Sequence, residues 1–278
     1  MAVRTWFITG VSSGLGRLMA EQLFERGERV AGTARNPDSL AGLRAAHGDR
    51  FWLAPLDVTD TPAVRRVVDQ AFAHFGRIDV VVNNAGYGLV GAAEELTDEQ
   101  IVRQLNTNVI GSIQVVRAAL PHLRAQRGGR IMQLSSMGGQ WAMPGLSLYH
   151  ASKWAVEGFF ESTMLDVAPF GIQVTIVEPG SARTDFAARS AELSPALDAY
   201  ADTPAGAVRR LIEPGFRSQP GDPAKMARAM IDSADRNPAP KRLALGSDAY
   251  ANIRQALTER LAELDAQKDI ATATDFED

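Results

Sequence analysis

Residues 5–16 read Thr5-Trp6-Phe7-Ile8-Thr9-Gly10-Val11-Ser12-Ser13-Gly14-Leu15-Gly16. A short apolar and β-branched run stops at a cluster of glycines, and a helical pattern follows over Gly14–Arg26. The run has the composition of a buried strand. The same alternation recurs along the chain. Strands are expected at Thr5–Thr9, Arg29–Thr33, Arg50–Leu56, Val80–Asn83, Arg130–Ser135, Gln173–Glu178 and Arg242–Leu245. Between them lie helical patterns at Gly14–Arg26, Pro62–Phe75, Asp98–Gln126, Leu148–Phe170 and Pro223–Ser233. Near-continuous apolar strands such as Val80-Val81-Val82 suit a parallel sheet covered on both faces. The fold expected is a doubly wound parallel sheet in three α/β/α layers. Ligands of such sheets sit beyond the carboxyl ends of the strands, so chemistry is to be sought just after each strand.

Composition narrows the class. The chain has 278 residues, a formal charge of −4, 45% hydrophobic and 22% charged residues. That is enough apolar side chain to offset the entropy of ordering, which excludes wholesale disorder. The mild acidity offers no footprint for nucleic acid. Cysteine is absent, which excludes disulfides, thiolate nucleophiles and Cys-ligated zinc. No run approaches the ~18 apolar residues of a membrane span. A soluble cytoplasmic protein is expected, with residues 1–265 as a single domain. Regular alternation weakens after Glu178, so residues 181–222 are read as a small helical lid. Residues 266–278 are polar and read as a loosely ordered tail.

The glycine corner allows a tight bend and close approach of a pyrophosphate, and the helix start offers free N–H groups. Gly10, Ser12, Ser13, Gly14, Leu15 and Gly16 are therefore candidate phosphate contacts. A plain strand-to-helix corner has the same composition. No Lys-Ser/Thr pair follows, which excludes a Walker loop. After the second strand stands Arg35, with no carboxylate before Asp38. A guanidinium there suits a 2′-phosphate, favouring NADP(H) over NAD(H); a solvated surface arginine is the alternative. Asp57 reads equally as an acceptor for an adenine amino group, with Val58 packed on the ring, or as a helix cap. Asn84, Ala85 and Gly86 end the fourth strand with small and amide residues that permit close cofactor approach, as a plain turn also would.

Tyr149-His150-Ala151-Ser152-Lys153 places Tyr149 and Lys153 on one helix face. An ammonium beside a phenol favours the phenolate and gives a proton carrier usable near neutral pH. On its own this spacing is common by chance. Taken together, the glycine corner, Asn84-Ala85-Gly86, Asn108 with Gly111, Ser135-Ser136, the Tyr149/Lys153 pair and Pro179-Gly180-Ser181-Ala182-Arg183-Thr184 occur in one order. In this the chain resembles the short-chain dehydrogenase/reductase family over residues 3–250.

The resemblance implies a Rossmann fold and an oxidoreductase moving a hydride between NADP(H) and a carbonyl or secondary alcohol. By it Tyr149 is the general acid/base, and Lys153 acidifies it and holds the nicotinamide ribose. Ser136 holds the substrate oxygen, and Asn108 kinks its helix and keeps a water of the proton relay. Thr184 meets the nicotinamide carboxamide, alongside Pro179 and Gly180. The adenine reading of Asp57 and Val58 is the one the resemblance favours. Substrate walls are expected from Gly138, Trp141 and Phe186, with Tyr87 and Tyr200 as further candidates; the Met and Trp content suits a hydrophobic ketone. His150 is expected to face away from the site. No His/Asp/Glu spacing suits a metal. The family commonly forms homodimers or homotetramers through helices matching Asp98–Gln126 and Leu148–Phe170. A catalytically silent NADP(H)-binding regulator is the rival function. A nucleotide-sugar epimerase is a further one, though its relatives carry a larger C-terminal domain.

Overall fold

The computed structural model describes residues 3–183, 191–212 and 219–276. Its centre is a seven-stranded sheet in the order β3-β2-β1-β4-β6-β7-β9, parallel throughout. The strands are β1 (Thr5–Thr9), β2 (Arg29–Ala34), β3 (Phe51–Pro55), β4 (Val80–Asn83), β6 (Gly129–Leu134), β7 (Ile172–Pro179) and β9 (Arg242–Leu245). Every expected strand is present, with ends moved by a residue or two. The order reverses between β1 and β4, which opens a crevice at their carboxyl ends.

Alternation along each strand feeds two cores. Phe7, Ala31, Val81, Ile131, Val174 and Ile176 face one layer. That layer holds α3 (Thr61–Phe75), α5 (Gly111–Ala125) and α6 (Ser147–Val167), with Phe160 fully buried. Trp6, Ile8, Val30, Val82, Met132 and Val177 face the other layer. There α1 (Gly14–Glu25) packs beside α8 (Pro223–Ser233), with α2 (Ala41–His47) further along. Burial of apolar side chains on both faces is the main driving force for this arrangement.

Local chemistry sets the helix ends. Asp60 caps α3 by accepting from Ala63 N at 3.0 Å, with proline in the first turn. Asp222 caps α8 by accepting from Ala224 N and Lys225 N. Thr97 and Gln100 form a reciprocal capping box at the start of α4 (Asp98–Leu105).

The structure departs from the sequence reading in several places, the helices α2 and α9 (Ser247–Asp265) among them. The long helix expected over Asp98–Gln126 is two helices, α4 and α5, joined by a π-helical turn at Asn106–Ile110. Two three-residue strands, β5 (Gly88–Val90) and β8 (Ala191–Leu193), pair in parallel as a separate small sheet. Beyond α9 (Ser247–Asp265), the stretch read as a loose tail holds a short exposed helix, α10 (Lys268–Thr272), closed by Ala271 N to Gln267 O at 2.9 Å. Among the described residues no helix is long and apolar enough to cross a membrane.

β8 and α7 (Pro204–Ile212) belong to the segment read as a lid, and Glu95 ties them to the body. Glu95 Oε1 accepts from Leu197 N at 2.9 Å, while Oε2 accepts from Ala92 N at 2.8 Å and Arg209 Nη2 at 2.9 Å. Arg209 also donates to the Ser194 carbonyl and hydroxyl, both at 2.8 Å. Burial pushes the Glu95 carboxyl up, but the bonds from Leu197, Arg209 and Ala92 overcome it and hold the acid below its usual range. Removing one partner of a buried ion pair strands the other. Glu95→Ala is therefore expected to lose about 3–5 kcal/mol in urea unfolding and to speed protease cutting between residues 194 and 212. An unchanged midpoint with an unchanged digestion pattern would contradict this anchoring.

Candidate active site

The glycine corner lies at the reversal point of the sheet. Gly10 and Val11 N–H groups both donate to the Thr33 carbonyl, at 2.9 and 3.0 Å. Gly10 and Gly14 have φ of +74° and +56°, a left-handed region that favours glycine. A Cβ added at Gly14 would meet open space, whereas one at Gly16 would collide with Asn84 Nδ2 and the Gly10 carbonyl. Ser13 is the N-cap of α1, yet its side chain makes no capping bond. The first N–H groups of the helix are thus left facing the crevice.

Asn84, expected at the cofactor, lines the cavity and also ties the corner together. Its Nδ2 donates to Thr9 O at 2.9 Å and Gly10 O at 3.0 Å. Asn84 N and Ala85 N both donate to Thr9 Oγ1 at 3.0 Å.

One cavity of about 650 Å³ runs from this corner to the ends of β6 and β7. Gly10, Ser12, Ser13, Gly14, Leu15, Arg35, Asp57, Val58, Asn84, Ala85 and Gly86 line its first half. Arg35 is exposed and its charge acts on Asp57. Asp57 is not the cap of α3, which is Asp60. Instead Asp57 Oδ1 accepts from Thr59 N at 2.9 Å and Thr59 Oγ1 at 2.7 Å. The backbone bond from Thr59 leads in holding this acid below its usual range, with the Thr59 hydroxyl and Arg35 assisting against burial. Val58 is buried, and a Cβ on Gly111 would press on its side chain. Gly111 therefore serves to let α5 approach Val58.

Ser135, Ser136, Gly138, Trp141, Tyr149, His150, Lys153, Pro179 and Gly180 line the second half. Ser136 opens a single 3-10 turn, Met137–Gly139, and its Oγ accepts from Gly138 N at 3.1 Å. The Tyr149 and Ser136 side chains are hydrogen-bonded. Lys153 is 8% exposed; its Nζ donates to Leu134 O at 3.0 Å and lies 5.7 Å from the Tyr149 ring centre. The expected acidification of the phenol is not what this geometry yields. Burial pushes the Tyr149 phenol up, and the Ser136 bond draws it only part of the way back. Burial also pulls the Lys153 ammonium down to about 8, opposed by the charge of Glu157.

Asn108 sits one layer behind the cavity in the π-helical turn. Its Oδ1 accepts from Tyr87 N at 3.0 Å, and its Nδ2 donates to Tyr87 O at 2.9 Å and Ser152 Oγ at 3.1 Å. It braces the loop after β4 against α6. His150 does not face away. It is buried, bonds through Nδ1 to Gly138 O at 2.9 Å, and accepts from Met143 N at Nε2 at 3.2 Å. That pattern requires a neutral ring, and burial lowers its pKa accordingly. A Cβ on Gly138 would strike this ring, so the glycine is fixed by the histidine.

Several participants were not read from the sequence. Asp248 Oδ2 accepts from Ser181 N at 2.7 Å, and a Cβ on Gly180 would strike the same carboxylate. Arg103 and Glu192 form an ion pair in the cavity wall, and Arg103 Nε donates to Tyr87 OH at 3.3 Å. No local pattern marks them, because the partners lie far apart in the chain. Tyr200, expected as a wall, bonds instead to Glu94 Oε2 at 2.9 Å. Thr184 and Phe186 lie outside the described residues. Among the described residues no group of three His, Cys, Asp or Glu is placed to hold a metal ion.

Residues 4–194 match the family described as short chain dehydrogenase. The chain is 38% identical over 268 residues to an oxidoreductase of Botryotinia fuckeliana, covering 94% of this chain and 97% of that one. It is 40% identical over 198 residues to a 3-ketodihydrosphingosine reductase of Bacteroides thetaiotaomicron, covering 70% and 71%. Its fold matches the crystal structure of a short-chain dehydrogenase from Streptomyces avermitilis at a TM-score of 0.93 and 41% identity, over 99% and 100% of the two chains.

The two glycines of the corner make separable demands. Gly16→Ala overpacks the Asn84 seam and is expected to lose about 1–3 kcal/mol in chemical unfolding. Gly14→Ala carries only backbone strain and is expected to lose about 1 kcal/mol. Equal losses would remove the role given to the seam.

Proposed function

This chain belongs to the short-chain dehydrogenase family, and from that premise we propose that it is an NADP(H)-dependent reductase of hydrophobic carbonyl compounds, with Tyr149 as proton donor. The observation that carries this reading is the Tyr149–Ser136 hydroxyl pair, which shares one cavity with the open glycine corner and has the buried Lys153 beside it.

The residues present fit a dinucleotide. The uncapped start of α1 and the empty space over Gly14 suit a pyrophosphate. Of the residues lining the cavity, Arg35 is proposed to meet the 2′-phosphate, Asp57 and Val58 the adenine, and Pro179 and Gly180 the nicotinamide end. Ala85 and Gly86 keep that path narrow but unobstructed. Thr184 remains the proposed carboxamide contact. When bound, NADPH supplies the hydride. Every other part of the reaction falls to this chain. Ser136 Oγ holds the carbonyl oxygen of the substrate. Tyr149, kept neutral by burial, donates its phenolic proton to that oxygen as negative charge develops there. The Lys153 ammonium then holds the phenolate left behind, and it offers donors to the nicotinamide ribose. Asn108 acts as a brace on Tyr87 and Ser152 and supports a relay water.

Met137, Trp141, Met143, Leu146, Val90 and Ile212 line the substrate side. Such a wall favours an apolar body next to the carbonyl, as does the kind of substrate named for the Bacteroides relative. Phe186 is proposed to complete it, with residues 181–222 acting as the lid. Exposed Val102 on α4, Ile110 in the π-helical turn, and Trp154 and Leu165 on α6 support homo-oligomer formation. The lack of cysteine fits a cytoplasmic setting.

Tyr149→Phe is expected to lower kcat by about 10²–10⁴ while NADPH binding, read by fluorescence, is retained. Tight NADPH binding without oxidation across a panel of ketones would instead favour a catalytically silent regulator. Arg35→Ala is expected to weaken NADPH binding about tenfold to a hundredfold and leave NADH nearly unchanged. Equal effects on the two cofactors would remove the 2′-phosphate assignment.

A further inference from the structure

Two carboxyl groups that the proposed chemistry does not use are buried beneath the catalytic loop. Glu157 stands one helical turn after Lys153 on α6, and Glu178 stands near the end of β7; they are 5% and 2% exposed. Arg242 of β9 is their shared cation, with Nε 3.2 Å from Glu157 Oε2 and 3.2 Å from Glu178 Oε1. Gln140 of the catalytic loop donates to Glu157 Oε2 at 3.3 Å and also reaches Glu178. The two acids lie within hydrogen-bonding reach of each other. Glu157 Oε1 and Glu178 Oε1 nevertheless receive no hydrogen bond of good geometry among the described residues. Two ionised carboxylates cannot remain in such contact with one guanidinium between them. A proton between them supplies the missing donor and leaves one buried negative charge facing Arg242, which also pairs with the exposed Glu161.

We propose that Glu157 and Glu178 form a one-proton carboxyl pair, positioning residues that fix the catalytic loop through Gln140 and set the charge presented to Lys153. Burial and the neighbouring Glu157 charge push Glu178 up to about 7, against Arg242 and Gln140. Loss of the proton goes to solvent and changes no other bond. The other charged and titratable groups around the pair are Lys153, Glu161 and His150 on α6, and Lys241 beside Arg242. Asp248 and Arg260 lie on α9, where Arg260 donates to the Gln140 carbonyl. Gly139 leaves no slack, because a Cβ there would lie 2.6 Å from Ser135 Oγ and 2.8 Å from Glu157 Oε1.

A raised carboxyl stabilises the fold fully below its unfolded pKa, and the benefit is lost as pH rises through about 7. Glu178→Gln in the full chain lacks this loss. The melting temperature of Glu178→Gln relative to wild type is thus expected to climb by a few degrees between about pH 5 and pH 8. Carboxyl-carbon NMR of 13C-glutamate protein should show one resonance titrating near neutrality, absent from that variant. Should Glu178→Gln fail to fold, Glu157→Gln is the alternative, and it should return the Glu178 resonance towards the ordinary carboxylate range. A constant melting difference, or no glutamate titrating above about pH 6, would overturn the pair. The consequence for Lys153 rests on the reductase reading. Glu157→Gln should move the alkaline limb of kcat/KM to lower pH by about half a unit or more, which a purely structural role would not do; an unmoved limb would overturn the charge-setting role. Melting and NMR need no turnover, so an inactive wild type would refute the reductase and leave the pair standing.

Discussion

The Thr9–Asn84 seam is the interaction on which the site depends. One hydroxyl accepts two backbone N–H groups from the loop after β4, and one amide donates to two carbonyls at the end of β1. The seam lies where the strand order reverses, and adjacent strands there would otherwise part with their polar groups unpaired. It holds the glycine corner open on one side and directs the loop toward Tyr87 on the other. Gly16 is the residue that pays for the close approach in side-chain volume. The position of the crevice is therefore set by a few hydrogen bonds at the strand ends, and the apolar layers supply the rigidity behind them.

The loop after β6, which carries Ser136, is held in the same manner from the second half of the chain. His150 spans it from Gly138 to Met143, and Arg260 of α9 bonds the Gln140 carbonyl. Asn252 of α9 approaches Met137 Sδ at 3.7 Å. Asp248 fixes the turn after β7. A helix near the end of the sequence thus supports both loops that border the second half of the cavity. A reactive hydroxyl on a loop needs such support, since small displacements are costly to aligned proton and hydride transfer.

Sequence reading recovered what is encoded locally. Strand positions, the glycine corner and the Tyr149/Lys153 spacing follow from short-range composition and periodicity, and all seven strands of the main sheet were legible. What was missed depends on partners distant in sequence. Periodicity near residues 98–126 does not mark the π-helical turn; only the family resemblance, which has Asn108 kink its helix, pointed to it, and the bonds of Asn108 to Tyr87 and Ser152 that accompany it are long-range. β5 and β8 are too short to carry a period, and they exist only as each other's partner. His150 looked like an outward residue because helix position alone does not reveal the loop folded over it. Arg209 and Glu95, or Asp248 and Ser181, are pairings that only a three-dimensional arrangement displays.

Burial does not by itself decide how an acid behaves, and two glutamates in this chain make the point. Glu95 and Glu178 are both almost fully buried, and both lie near an arginine. Glu95 is held below the usual range because two backbone N–H groups and a guanidinium all donate to it. Glu178 is pushed up to about 7 by burial and by the neighbouring Glu157 carboxyl, and its arginine is shared three ways, with Glu157 and Glu161. Desolvation opposes the charge in both cases, so the sign is set by the number of donors left to each oxygen. Where donors suffice, the acid is a permanent anchor, as Glu95 is for Leu197 and Arg209. Where they fall short by one, a proton fills the place, and the anchor acquires a dependence on pH beside the lysine whose charge the proposed reaction needs.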